Sequence, residues 1–290
     1  MADTKLPPPP AKGPPKGPLP SNKATIKTEP PKLGKLEPIF HPPRVILHAV
    51  EGWGKTSMGS YTKTPAILMA KGETGYETLL GAGLVPSVPA ARINTWLELL
   101  AIMDTLNGYE TVVLDAIGGF EHLCHEYVCD VEYKGDWGEK GFKGYQRGAD
   151  VAVTEWLKLL AKLDKLRDVG ITTLLLSHTK IGPYGNPLGA DYDRLGSDVH
   201  KKTWGVTHRW ADAVLFGEFF TDVETNRSSK PDALRKGKGI GGGQRIIHTE
   251  WNAAYDAKNR YNMDPVIDIP DDPKLIWSTI REAIYNGKDK

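Results

Sequence analysis

With 290 residues and 31.9 kDa, 40% hydrophobic and 25% charged, the chain has an ordinary globular composition, long enough for one large domain or two small ones. The formal charge is only +1, and seven lysines and three acids before Arg44 leave 30 basic against 33 acidic residues beyond it. Attraction of the whole folded part to nucleic acid is thereby excluded, and any phosphate-backbone contact falls to a local patch or to the tail.

No apolar run reaches membrane-spanning length, no apolar stretch of a secretory signal opens the sequence, and Cys124 and Cys129 are too few for a disulfide framework. A soluble chain in the reducing cytoplasm, without a membrane partner, is the expectation.

Residues 1–43 hold 13 of the 22 prolines, with Leu6-Pro7-Pro8-Pro9-Pro10 the densest run. Such sequence favours extended polyproline conformers and cannot nucleate a core, so it is predicted to be a disordered Pro/Lys-rich tail, a spacer or a ligand for an aromatic groove. A single domain is expected over 44–270, followed by a C-terminal helix and tail over 271–290.

Arg44 to Ala49 is a short apolar run suited to a buried strand. Directly after it comes Ala49-Val50-Glu51-Gly52-Trp53-Gly54-Lys55-Thr56-Ser57 and then a helical pattern, the context a phosphate-binding loop requires. Gly52 and Gly54 let backbone N–H groups converge on phosphate oxygens, Lys55 reaches the β and γ phosphates, and the Thr56 hydroxyl ligates magnesium. Ala49 stands where the usual pattern has its first glycine, the least obstructive replacement.

A second strand is predicted at Ala66 to Met69, with Glu73 just beyond it in position to orient or deprotonate water. Trp96, Leu99, Leu100, Met103 and Leu106 recur at helical spacing after a cap at Asn94 or Thr95. Val112 to Leu114 is a third strand, and Asp115 at its end is placed to hold magnesium. His122, Cys124, His125 and Cys129 are metal-ligand types, but their spacing fits no zinc pattern and ordinary helix packing is expected.

A helix through Trp156, Leu159, Leu160 and Leu163 precedes a fourth strand at Ile171 to Leu176, which ends in Ser177-His178-Thr179. Beyond Lys180 a long loop rich in Gly, Asp and aromatics is predicted, then strands at Ala213 to Phe220 and Arg245 to Tyr255. The connection Gly237 to Gly243 reads as a flexible hairpin, and Lys274 to Tyr285 as an amphipathic helix. Strands alternating with helices predict an α/β fold: a central, mostly parallel sheet with helices on both faces and antiparallel edge strands.

Taken together, Val50-Glu51-Gly52-Trp53-Gly54-Lys55-Thr56-Ser57, Glu73, Leu114-Asp115 and Lys258-Asn259-Arg260-Tyr261 resemble the phage-type RecA-like P-loop ATPases of the Sak-type single-strand annealing group, over roughly Arg44 to Pro270. The resemblance implies a RecA-like P-loop NTPase fold and an ATPase that uses ATP and Mg2+. Glu73 would be its water-activating carboxylate, and His178 a polar sensor of the γ-phosphate. Lys258 and Arg260 would act across a subunit interface on a neighbour's γ-phosphate, within a ring or filament of identical chains.

It further implies single-stranded DNA as partner, a single-strand-binding protein as companion, and recombination or annealing as the process, in host cytoplasm if phage-encoded. Two stretches are candidates to face DNA. One, mixed in charge, holds Tyr133, Lys134, Trp137, Lys140, Phe142, Lys143, Tyr145 and Arg147; the other sets Lys201, Lys202, His208 and Arg209 beside Trp204 and Trp210. Rival functions are an ATP-binding annealing scaffold that needs no hydrolysis, a helicase loader, and a phosphotransferase, for which neither an arginine-rich lid nor an acceptor pocket is evident.

Overall fold

The computed structural model describes residues 33–35, 37, 39–225 and 237–285, so the proline run up to residue 32 lies outside the described residues. The chain divides into two units, Met1–Ile39 and Phe40–Lys290. The described residues of the first form no regular element.

In the second, β1 (Arg44–Ala49) leads to α1 (Lys55–Ser60), β2 (Pro65–Ala70), α2 (Gly75–Gly81), β3 (Ala90–Ile93) and α3 (Trp96–Ile102). Then come β4 (Thr111–Asp115), α4 (Ile117–Tyr133), α5 (Arg147–Asp168), β5 (Thr172–Tyr184), β6 (Tyr192–Ser197) and α6 (Lys201–Trp210). The remainder is β7 (Ala213–Phe219), β8 (Asp222–Thr225), β9 (Gly237–Ile240), β10 (Arg245–His248), β11 (Lys258–Asn259), β12 (Val266–Ile269) and α7 (Pro273–Tyr285).

The main sheet runs β12-β10-β7-β1-β5-β4-β2-β3, with β6 paired to β5 and β11 to β7, while β8 and β9 form a separate hairpin. From β3 to β7 in that order the strands are parallel; β10, β11 and β12 add antiparallel to one side. This is the expected α/β architecture. β5 lies between β1 and β4, so the strand feeding the glycine-rich loop and the strand ending in Asp115 are separated by a single strand.

Both faces of the sheet are buried because the strand repeat of two sends alternate apolar side chains to opposite sides. Val45 and Leu47 pack in one cluster with Met58 of α1 and Ile276, Trp277 and Ile280 of α7. Ile46 packs in the other with Trp96 of α3, Phe120 of α4 and Trp156 of α5. Each fully buried side chain of this size contributes about 1.5–3 kcal/mol. The helix starts follow local chemistry: Thr95 caps α3 in a reciprocal capping box with Glu98.

The structure extends some predicted elements and shortens others. The fourth strand does not stop at Leu176 but runs on to Tyr184, and the stretch read as a long loop instead returns as β6, antiparallel, pairing Thr179 with Ser197 and Tyr184 with Tyr192. The strand predicted to reach Tyr255 ends at His248. β3 exposes Ala90 and Arg92, and β12 Val266 and Asp268, on one face, and these four-residue strands gave no apolar run to read.

One close approach fixes the geometry next to the glycine-rich loop. A Cβ on Gly217 would stand 2.8 Å from Trp53 Cε2 and 2.9 Å from Ala49 Cβ. Neither neighbour is the tip of a flexible chain. Gly217→Ala is therefore expected to cost about 1–3 kcal/mol of stability, as overpacking does, measurable by denaturant unfolding.

Candidate nucleotide-binding site

β1 delivers the chain into the loop Val50–Gly54, whose entrance is tied to β7 by the Val50 N–H donating to Gly217 O at 3.1 Å. Gly52 (φ 73°) and Gly54 (φ 104°) adopt the left-handed region that glycine alone enters without strain. Because α1 has only six residues, its dipole is short; anion binding rests on the loop N–H groups and on Lys55. Trp53 is fully buried, and its indole donates to Glu218 O at 3.2 Å, which anchors the loop.

Lys55 is buried, and its ammonium donates to Ala49 O at 2.8 Å and Val50 O at 3.3 Å. Burial lowers its pKa, opposed by the nearby Asp115 carboxylate. Thr56 Oγ1 donates to Asp115 Oδ2 at 2.6 Å, joining the helix start to the end of β4. Asp115 is 6% exposed, and burial pushes its carboxyl above the usual aspartate value, with the Thr56 hydrogen bond pulling the other way.

Opposite these groups, Glu73 Oε1 lies 3.2 Å from His178 Nε2. The hydrogen bond to His178 holds Glu73 below the usual glutamate range, and the same bond raises His178. Glu73 is placed by the turn after β2, where its N–H donates to Ala70 O at 2.9 Å, and His178 by β5.

A cavity of about 370 Å³ is lined by Glu51, Lys55, Thr56, Ser57, Glu73, Asp115 and His178 together with the backbone of Gly52 and Gly54. Residues up to 127 positions apart in the chain, from Glu51 to His178, thus converge on one hollow. The donor set fits a magnesium-bound phosphate chain. Thr56 and Asp115 supply hard oxygen ligands, a divalent cation would reverse the burial penalty on Asp115, and the loop and Lys55 supply donors for phosphate oxygens.

Two residues next to this cavity were not found from the sequence. Asp198, just after β6, accepts from Ser177 Oγ at 2.9 Å, and its N–H donates to His178 O at 3.1 Å, so it holds the part of β5 that carries His178. Arg245, which opens β10, donates through Nε to Trp53 O at 2.6 Å.

Other predicted residues lie elsewhere. Lys258 pairs with Val214 and Asn259 with Ala213, at the end of β7 that faces the start of β1, opposite to the glycine-rich loop. The Lys258 ammonium donates to His208 O, Arg209 O and Ala211 O at 2.6 to 3.1 Å, closing the C-terminus of α6. Arg260 is held near Asp212 at 3.3 Å, in a network with Arg44 and Arg167. Within its own chain neither cation approaches the cavity.

The stretch Lys201, Lys202, Trp204, His208, Arg209 and Trp210 is helix α6. Trp204 Nε1 donates to Asp256 at 2.7 Å and Trp210 Nε1 to Asp164 at 2.8 Å, which gives both rings packing duties; Lys202 pairs with Asp150 and Arg209 Nε donates to Gly205 O, while Lys201 is exposed. In the other stretch Phe142 is buried and Trp137 packs on it, whereas Tyr145 is 93% exposed. Cys124 and Cys129 are buried in the core and His122 lies beside Glu126 on α4. Among the described residues no helix is long and apolar enough to cross a membrane.

No curated protein matches the chain. Among solved structures it is similar to the flagellar accessory protein FlaH from Methanocaldococcus jannaschii, at 11% identity and a TM-score of 0.35, over 79% of this chain and 90% of that one. The protein-family profile described as "AAA domain" matches residues 41–261, a span that takes in the loop, Glu73, Asp115, His178 and the Lys258–Tyr261 segment. With that match covering most of its length, the chain belongs to the AAA domain family.

Proposed function

We propose that this P-loop ATPase domain hydrolyses Mg-ATP and couples its nucleotide state to single-stranded DNA. The observation that carries the hydrolytic half is the convergence of Thr56–Asp115 and Glu73–His178 on the cavity beside Lys55. Magnesium, when bound, neutralises phosphate charge. Thr56 and Asp115 hold that cation, Lys55 leaves its two carbonyl partners for phosphate oxygens, and Glu73 takes a proton from the attacking water. His178 governs how basic Glu73 is, because a protonated imidazole beside it stabilises the carboxylate.

The DNA half is supported by the part of β5 that projects past the sheet. Tyr192 and Tyr184 lie 5.2 Å apart, and Arg194 stands over Tyr184 at 5.2 Å and over Trp251 at 5.3 Å. Trp251 is 60% exposed. Beside this ladder of flat groups a cleft of about 310 Å³ is bordered by the cations Lys180 and Lys201 and by Trp204. Bases stack on such faces while cations follow phosphates. Because His178 and Tyr184 share one strand, occupancy of the cavity and of the hairpin bear on the same backbone. Assembly into a ring or filament belongs to this proposal through the family resemblance.

ATP turnover measured with and without single-stranded DNA, across several salt concentrations, tests it. Stimulation that weakens steeply with salt and disappears in a Tyr184→Ala/Trp251→Ala double variant is the expected result. Turnover indifferent to DNA, in a protein that does not bind DNA at low salt, would remove the DNA half and leave the ATPase.

A further inference from the structure

Trp53 and Gly54 share a peptide plane, and in a trans peptide the carbonyl of the first residue and the N–H of the second point in opposite directions. Whatever fixes the Trp53 carbonyl therefore aims the Gly54 N–H. The carbonyl is fixed by Arg245, whose Nε donates to it at 2.6 Å. Arg245 is itself held: β10 pairs it with Phe219 of β7, its guanidinium lies 5.8 Å from the Phe219 ring, and Nη1 donates to Asp271 O at 3.3 Å. The side chain is 19% exposed. On the other side of the same loop residue, the Trp53 indole is pinned to Glu218 O.

Arg245 is not among the residues that line the cavity, whereas Gly54 is. The Gly54 N–H makes no hydrogen bond among the described residues. A Cβ on Gly54 would lie 3.8 Å from Arg245 Nε, an ordinary contact, so crowding does not explain the glycine; its φ of 104° does.

We infer that Arg245 is a positioning residue: by holding the Trp53 carbonyl on the β10 side it presets the Gly54 N–H toward the cavity, ready for the phosphate chain of a nucleoside di- or triphosphate. The loop then does not spend binding energy on ordering itself when ligand arrives. This rests on the Mg-ATP reading of the cavity. It assigns to a strand on the antiparallel side of the sheet, 192 residues away in sequence from Trp53, a part in phosphate recognition.

Arg245→Met keeps the stem over Phe219 and removes the donor; Arg245→Lys keeps a cationic donor on a similar stem. By equilibrium binding, Arg245→Met should bind Mg-ATP and Mg-ADP about 10- to 100-fold more weakly, the range for loss of a charge-assisted hydrogen bond, with AMP, which lacks the β and γ phosphates, affected less than threefold. Arg245→Lys should recover most of the loss. In nucleotide-free protein, hydrogen exchange across residues 50–57 should quicken severalfold in Arg245→Met while the melting temperature of the domain stays close to that of the unchanged chain.

Undiminished ATP affinity in Arg245→Met overturns the inference while leaving the ATPase reading intact. So does an equal loss for AMP and ATP, which would mark general damage. If Arg245→Met does not fold, the binding and exchange measurements on Arg245→Lys decide: unchanged loop exchange together with weaker ATP binding would count against presetting. An unchanged protein that binds no adenine nucleotide overturns both readings together.

Discussion

Lys55→Met is expected to weaken Mg-ATP binding by at least about 100-fold, since two or more charge-assisted hydrogen bonds to phosphate are lost at about 1.5–3 kcal/mol each. The same substitution should leave nucleotide-free stability within about 1 kcal/mol. Lys55 is a buried cation, and its burial already disfavours the charge. Removing it relieves that cost, while the Ala49 and Val50 carbonyls lose a donor and Asp115 loses a nearby positive charge; the terms oppose one another. Calorimetric binding and denaturant unfolding on one preparation separate the effects. A variant that binds ATP normally would show that the cavity is not the phosphate site. A variant that unfolds would make Lys55 a structural cation.

The second large effect is on turnover. Glu73→Gln keeps the shape of the side chain and an oxygen to accept from His178, but it cannot take a proton. Turnover should fall by about 10²- to 10⁴-fold, the usual worth of a general base, with ATP affinity changed less than about threefold. Full activity in Glu73→Gln would make ATP a structural ligand and favour an annealing scaffold over a motor.

The pH dependence follows from the pair. Glu73 is held below its ordinary value of 4.5 by His178, and what this contributes to stability is present above 4.5 and lost as pH falls through the lowered value. His178 is raised above 6.5 by Glu73, and its contribution is fully present below 6.5 and lost as pH rises through the raised value. The two overlap between about pH 4.5 and 6.5. Above that window the imidazole gives up its proton, Glu73 becomes the stronger base, and turnover should rise; in Glu73→Gln the rise should be absent.

Much of the nucleotide site could be read from the chain because its chemical demands are local. Gly52 and Gly54 for left-handed backbone, then Lys55 and Thr56, fall within a few residues directly after a uniformly apolar strand. Asp115 declares itself in the same way, as a carboxylate closing Thr111-Val112-Val113-Leu114. Glu73 and His178 were each legible as polar groups past a strand end, but their pairing across 105 residues is a tertiary fact.

What escaped the sequence depends on partners far off in the chain. The continuation of β5 beyond Thr179 through Gly182-Pro183 has the composition of a loop, and only pairing with β6 makes it a strand. Trp204 and Trp210 looked available for stacking because nothing nearby announces Asp256 and Asp164, which take their indole N–H groups. Arg245 opens a short edge strand with no local sign that its guanidinium reaches Trp53.

Strand β5 has one more consequence. Up to Leu175 it is laddered on both edges, to β1 and to β4, and as far as His178 still to β1, so sliding it along its axis would break two sets of backbone bonds at once. From Thr179 onward its backbone ladder is to β6 alone, and β6 is braced in turn, the Leu195 N–H donating to Ala254 O and the Asp256 N–H to Leu195 O. The sheet-bound segment thus acts as a clamped root, and the hairpin as a beam propped partway along by residues 254–256. Any signal leaving the His178 imidazole has to travel as a flexing of that propped beam, not as a shift in strand register.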